Sequence, residues 1–205
     1  DVILEEPSLN YYVGKEKLTK ETGKEPTIEQ LAKELGFAFY DKDLLTIVSE
    51  KSGIKEEVLQ KADEEAANPL FAPYYPPHLD PGSLNDRLFK MQAELIKEKA
   101  ATENCVIVGR CGNYVLEEAE NAVHVFIYAD EDAKIKRTME RHQLNREEAT
   151  KRMKKIDKQR RAYYQYYTEW RWARTEGFDL MLNSSALGVD ATVAAIKAVV
   201  EAKMK

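Results

Sequence analysis

Two hydrophobic patterns alternate along this chain. One is the short unbroken apolar run, as in Cys105-Val106-Ile107-Val108 before Gly109 and Ala122-Val123-His124-Val125-Phe126-Ile127-Tyr128. Such runs suit strands covered on both faces, the pattern of a parallel sheet. The other is apolar spacing of three and four, which places side chains on one stripe of a helix. Ile28, Leu31, Ala32 and Leu35 follow it, with Pro26-Thr27 opening the helix and Gly36 closing it. Val2-Ile3-Leu4 reads as a first short strand, and Phe37-Ala38-Phe39-Tyr40 as an aromatic one ended by Asp41-Lys42-Asp43.

Further along, Leu44 to Ala67 reads as two helices broken at Ser52-Gly53, the second rich in acid and without an obvious anchor to a sheet. A proline-dense loop follows from Asn68 to Gly82, so residues 41–82 read as a helical insertion over one edge of the sheet. Asn85 to Ala101 is an amphipathic helix marked by Leu88, Met91 and Leu95, and a short helix spans Tyr114–Ala119. Asp130 caps a helix through Arg141. Asn145 with Glu148 makes a capping box for a helix that runs as far as Trp172. Phe178 to Asn183 is the last strand, and Asp190 opens a terminal helix with Val193, Ile196, Val199 and Val200 inward. Strands alternating with helices predict one α/β domain over residues 1–205, with a parallel sheet of about five strands.

Composition narrows the function classes. Hydrophobic residues at 43% and charged residues at 33% describe a globular chain. No apolar run reaches membrane-spanning length, and Asp1-Val2-Ile3-Leu4-Glu5-Glu6 lacks the basic-then-apolar layout of a secretion signal, so a cytoplasmic protein without a membrane partner is expected. Cys105 and Cys111 form no CxxC pair and the three histidines are scattered, which leaves no ligand set at metal spacing and favours reduced thiols.

Charge is uneven. The net charge is −5, yet residues 137–161 hold ten Lys/Arg against four Asp/Glu. A basic block in an acidic chain is an electrostatic footprint for a small polyanion; a long nucleic-acid groove goes with a basic domain. Arg110 stands just past the apolar run 105–108, where open parallel sheets meet their ligands, and a guanidinium there is a fork for phosphate or carboxylate. The competing reading pairs Arg110 with a structural carboxylate.

Four groups of residues together resemble a known family. They are Leu31-Ala32-Lys33-Glu34-Leu35-Gly36 with Phe39-Tyr40-Asp41-Lys42-Asp43-Leu44; Cys105-Val106-Ile107-Val108-Gly109-Arg110; Asp157 with Arg160 and Tyr163-Tyr164; and Asp179-Leu180 with Asn183-Ser184. From Leu31 to Val200 the chain resembles the cytidylate-kinase-like proteins, relatives of the nucleoside monophosphate kinases. The resemblance implies a P-loop-kinase-like three-layer sandwich with a helical insertion on the acceptor side and a mobile lid over residues 142–161. It implies transfer of the ATP γ-phosphoryl group to a nucleoside monophosphate, CMP being the first candidate, with Mg²⁺ entering with ATP. In such reactions catalysis is positioning plus neutralisation of charge. By position Arg110 and Asp41 would bind the acceptor, Arg160, Asp157 and Arg161 would serve the transfer, and Arg137, Arg141, Lys24 and Gly23 would meet the donor phosphates. Asp157 would orient an arginine or a Mg²⁺-bound water.

Two departures separate this chain from the classical pattern. Only Asp157 and Arg160 keep the lid spacing, with Met153-Lys154 in place of the preceding Arg-Asp. Where the family carries a glycine-rich phosphate loop, Glu21-Thr22-Gly23-Lys24-Glu25-Pro26-Thr27 offers one glycine, a proline without an N–H, and flanking glutamates; no G-x-x-x-x-G-K-[ST] occurs. A binding protein that keeps the fold and has lost efficient transfer is therefore the second reading. A third comes from residues 18–36, whose Glu-Pro-Thr before a helix is similar to a stretch of bacterial sigma factors and would make a DNA-binding module. The aromatic run from Tyr163 to Trp172 reads as core or as a homo-oligomer interface.

Overall fold

The computed structural model describes residues 2–5, 27–66 and 83–204. Five strands form one sheet: β1 (Val2–Glu5), β2 (Ala38–Tyr40), β3 (Cys105–Val108), β4 (Val123–Tyr128) and β5 (Leu180–Asn183). Their order is β2-β3-β1-β4-β5 and every pairing is parallel. Ile3 pairs with Ile107 on one side and His124 on the other, so β1 is central, and the strand order reverses beside it. At such a switch point the loops leaving neighbouring strands diverge, and a crevice opens beyond the carboxyl ends.

Helices cover both faces, which is why the strands tolerate unbroken apolar sequence. On one face lie α1 (Thr27–Leu35), with Ile28, Leu31 and Ala32 packed on Val106, Val108, Val123, Val125 and Ile127, and the C-terminal helix described below. The other face holds α2 (Asp43–Ser52), α3 (Glu56–Ala66) and α4 (Leu84–Thr102), whose Leu44, Val48, Leu59, Leu88, Leu95 and Ile96 gather round Cys105 and Ile107. In β3, Cys105 and Ile107 therefore face one layer, Val106 and Val108 the other, and all four are buried. The acid-rich α3 has an anchor after all: Leu59 and Ala62, three apart, are both buried in this second cluster. Gly53, at φ 71, makes the turn between α2 and α3.

After β3 come α5 (Gly112–Val115), then α6 (Glu131–His142) and α7 (Arg146–Thr168), which form a hairpin sealed by its own small core of Ile135, Ala149 and Met153. The capping box at Asn145 and Glu148 is present in full. Short α8 (Ser184–Leu187) leads to α9 (Val189–Lys203), whose Val193, Ile196 and Val200 complete the first core.

The differences from the sequence expectations are local. The helix expected over Tyr114–Ala119 is the four-residue α5, because it starts directly from the left-handed turn after β3. α7 stops at Thr168, with Glu169 left-handed at φ 58, so Trp170 and Trp172 lie beyond it. Asp130 sits at the α6 N-cap without a side-chain cap bond; its carboxylate accepts from Asn183 Nδ2 instead (3.0 Å), tying β5 to β4. The loop expected over 68–82 and the segment around Gly23 and Lys24 lie outside the described residues. Among those described, no helix is long and apolar enough to cross a membrane.

Candidate functional site

β3 ends in a turn that costs energy. Gly109, Arg110 and Cys111 take φ of 71, 59 and 56, three consecutive left-handed residues of which two are not glycine. Each such non-glycine residue is disfavoured by about 1–2 kcal/mol and persists only where its surroundings hold it. The restraint is visible here. Cys111 is buried among Tyr164 and Tyr167 of α7, the Gly112 N–H donates to Gly109 O at 3.0 Å, and buried Asn113 donates through Nδ2 to the Tyr164 hydroxyl at 2.9 Å. The strained turn places Arg110 beyond the strand, at the switch-point edge.

Arg110 meets an acid there. Its guanidinium donates to the Asp63 carboxylate of α3, with the two side chains 20% and 18% exposed. The structural-carboxylate pairing weighed from sequence is thus the one the chain adopts, and it ties the inserted helices to the tip of the sheet. Burial works against the Arg110 charge, but the hydrogen-bonded Asp63 carboxylate, with Asp41 behind it, more than restores it. Asp41, at the end of β2, is also buried; burial holds its carboxyl above the ordinary 3.8, while Arg110, Lys42 and Arg160 pull it back. The charges of Arg110 and Arg160 both reach Asp41, so three of the expected site residues share one electrostatic neighbourhood. Tyr163 closes the group, its phenol pushed well above its usual range by burial and by the neighbouring Cys111 and Asp63, and it stays neutral.

The hairpin supplies the second half. Lys134, Arg137 and Arg141 recur at three and four residues along α6, and Asp157, Arg160 and Arg161 do so along α7. Asp157 is held by Lys134, Nζ to Oδ2 at 2.6 Å, with both side chains largely buried. Its partner is therefore a lysine of the facing helix, not one of the arginines. Arg137 turns Nη1 inward, where it finds no hydrogen-bond partner among the described residues. Arg161 is exposed. Gly23 and Lys24 lie outside the described residues. Asp63 and Lys134 were not singled out from sequence. The signals were weak ones: Asp63 directly follows the inward Ala62, and Lys134 precedes Arg137 by one turn.

One groove of about 500 Å³ runs between α4 and the segment after α5, lined by Phe89, Ala93, Lys97, Tyr114 and residues 115–119. It contains none of the residues above. The aromatic run is used within the chain: Tyr164 and Tyr167 are buried, Phe89 stacks on Tyr167 with centroids 4.1 Å apart, and Trp172 packs edge-on to Phe126 and Tyr164.

A parallel sheet in this order, with an arginine at the tip of the strand beside the central one and a basic helical hairpin beyond it, defines a kinase-type α/β fold. Shikimate kinase from Bacteroides thetaiotaomicron shares it, with TM-score 0.51 and 14% identity over 98% of this chain and 97% of that one. An uncharacterized protein from Eubacterium ventriosum ATCC 27560 shares it as well, with TM-score 0.69 and 24% identity over 98% and 97% of the two chains. The chain belongs to the cytidylate kinase-like family, whose profile matches residues 21–186 and so takes in the inserted helices, the strained turn and the hairpin. No curated protein matches the sequence.

Proposed function

We propose that the protein is a phosphotransferase that moves the γ-phosphoryl group of ATP to a nucleoside monophosphate, with CMP as the first candidate. The observation that carries this is the Arg110 turn: a guanidinium held at the switch-point edge by a strained backbone, with Arg160 in electrostatic reach and a basic hairpin opposite. Arg110 would receive the acceptor phosphate once Asp63 is displaced, a charge-assisted and geometrically specific contact. Arg137, Arg141, Arg160 and Arg161 would close over the transferring group from α6 and α7, lowering the barrier by neutralising its charge. Among the described residues no three acids, histidines or cysteines cluster at metal distance. On this reading Mg²⁺ would enter with ATP, bound chiefly through phosphate oxygens.

The test is an ATP-consumption assay with purified protein across CMP, UMP, AMP and GMP, with Mg²⁺ present and then chelated. Turnover with CMP that stops on chelation is expected; no turnover with any monophosphate, despite monophosphate binding, would establish the second reading. That reading, a nucleotide-binding protein without efficient transfer, is favoured by one specific feature, the glycine-poor Glu21–Thr27 stretch. The DNA-binding reading has less support, because the apolar face of α1 is buried in the sheet's own core.

A further inference from the structure

Ion pairs of two kinds join the helices of the α6–α7 hairpin. Arg146–Asp132 and Lys154–Glu131 cross it at the surface, with side chains 60–82% exposed, where water and salt screen the attraction. Lys134–Asp157 is different: at 2.6 Å, with side chains 18% and 22% exposed, it is a pair in which the loss of one member strands the charge of the other. Its place along α7 matters too. The first half of that helix is held by Ala149 and Met153 in the hairpin's own core, and its last turns by Tyr163, Tyr164 and Tyr167 in the aromatic cluster. Residues 154–162, about two and a half turns, belong to no hydrophobic cluster among the described residues, so α7 crosses from the hairpin to the main body without apolar anchorage. Asp157 lies within that crossing. Arg137 follows Lys134 by three residues on α6 and Arg160 follows Asp157 by three on α7, so each stands one turn from a member of the pair. Arg137 Nη1 is buried with no hydrogen-bond partner among the described residues, and the Arg160 charge reaches Asp41 at the tip of β2, which connects the hairpin to the acceptor edge.

We propose that Lys134 is the positioning residue of a polyphosphate clamp: by holding Asp157 across the unanchored stretch of α7, it fixes α6 against α7 so that Arg137 and Arg160 meet one anion chain. Lys134 acts through Asp157 and does not itself take the ligand. The ligand class follows from the arrangement of charge. Two guanidiniums carried by different helices suit successive phosphates of a linear polyphosphate, whereas a single phosphate is met by one fork. Because the two arginines sit on separate helices, their spacing is only as well defined as the packing of α6 on α7, and a largely buried ion pair between those helices is what defines it at this level. The inference rests on the part given to the hairpin in the reading above and adds the residue that sets its geometry.

The experiment titrates inorganic tripolyphosphate and inorganic phosphate into the full chain and into Lys134→Gln, Lys134→Arg, Asp157→Asn and the Lys134→Gln/Asp157→Asn double variant, with thermal melts and with kcat and KM for ATP measured on CMP. Simple charge and positioning predict opposite signs at Asp157. Removing a carboxylate beside a polyanion, or freeing Lys134 to bind it, would tighten tripolyphosphate; loss of positioning weakens it. Asp157→Asn and Lys134→Gln should each weaken tripolyphosphate by about 5- to 30-fold, the double variant being no worse than either, as for two residues that act as one unit. Inorganic phosphate should stay within about 2-fold. kcat should fall by about 10- to 100-fold with a smaller rise in the KM for ATP, since a misplacement of about 1 Å costs that much. Lys134→Arg keeps the charge and should recover most of the loss. If Lys134→Gln fails to fold, Asp157→Asn gives the deciding sign. Tighter tripolyphosphate binding by Asp157→Asn would overturn the proposal, as would lowered melting with unchanged tripolyphosphate affinity and kcat. The expected binding changes in a protein that turns over no monophosphate would support the clamp and overturn the transfer reading. Tripolyphosphate bound no more tightly than inorganic phosphate by wild type would overturn the clamp and leave the acceptor assignment of Arg110 standing.

Discussion

Replacing Asp63 with Asn isolates the contact on which the acceptor assignment turns. The Arg110 fork is occupied by the Asp63 carboxylate, each side chain about one-fifth exposed. A fully exposed pair contributes about 0–1 kcal/mol, and breaking a fully buried one costs about 3–5. A pair of intermediate exposure is therefore worth about 1–2 kcal/mol. An incoming phosphate must displace Asp63 and give up that energy, so Asp63→Asn should tighten monophosphate binding by about 5- to 30-fold. The same loss should lower the melting temperature by about 2–8 °C for a chain of this size. Calorimetric titration with CMP and with inorganic phosphate, beside thermal melts, reads both quantities. The two effects have opposite sign, which separates competition from support. If Asp63→Asn bound either anion more weakly than wild type, Asp63 would be positioning Arg110 for its ligand, and the displacement reasoning would be wrong.

Three further outcomes are expected. Arg110→Ala should weaken CMP and inorganic phosphate by about 10- to 150-fold, the worth of a charge-assisted bond; titration showing wild-type affinity would remove Arg110 from the site. Asp41 has its carboxyl raised above 3.8 chiefly by burial; a carboxyl raised on folding stabilises the folded state below its unfolded value and loses that contribution as pH rises through the folded one. Asp41→Asn should therefore raise the melting temperature at neutral pH, the gain fading below pH about 4, and an equal gain at every pH would contradict the assignment. Burial pushes the Cys105 thiol up to about 11 and Cys111 is buried as well, so a thiol reagent at neutral pH should label neither cysteine in the native protein and both after unfolding.

The helical insertion shows how far sequence reasoning reached into the site. Its position after β2 and its two-helix form were legible from the break at Ser52-Gly53 and the prolines that follow. Its attachment was not. Of the four apolar residues in this acidic helix, Val58 is exposed and the anchors Leu59 and Ala62 make too weak a stripe to stand out, and the partner cluster that buries them comes from α2, α4 and β3. Asp63, which follows them, gained its meaning only from Arg110 lying 47 residues away. Likewise the spacing along α7 marked Asp157 and Arg160 as one face, whereas the identity of the group opposite, Lys134, depended on how α6 folds back.

The sequence by itself determined the strands, the amphipathic helices, the capping box and the residue at each strand tip. These follow from periodicity, from glycine and proline, and from short-range hydrogen bonding, all of which act within a few residues. Only the tertiary structure decided that Arg110 faces Asp63, that Tyr164 and Tyr167 of the aromatic run are core, and that Asp86 Oδ1, the Gln92 amide, Asn113 Oδ1 and the Tyr167 hydroxyl are buried without a hydrogen bond among the described residues. Those outcomes are set by which faces of distant elements close on one another, and burial is what turns an ordinary polar side chain into a group that must find a partner.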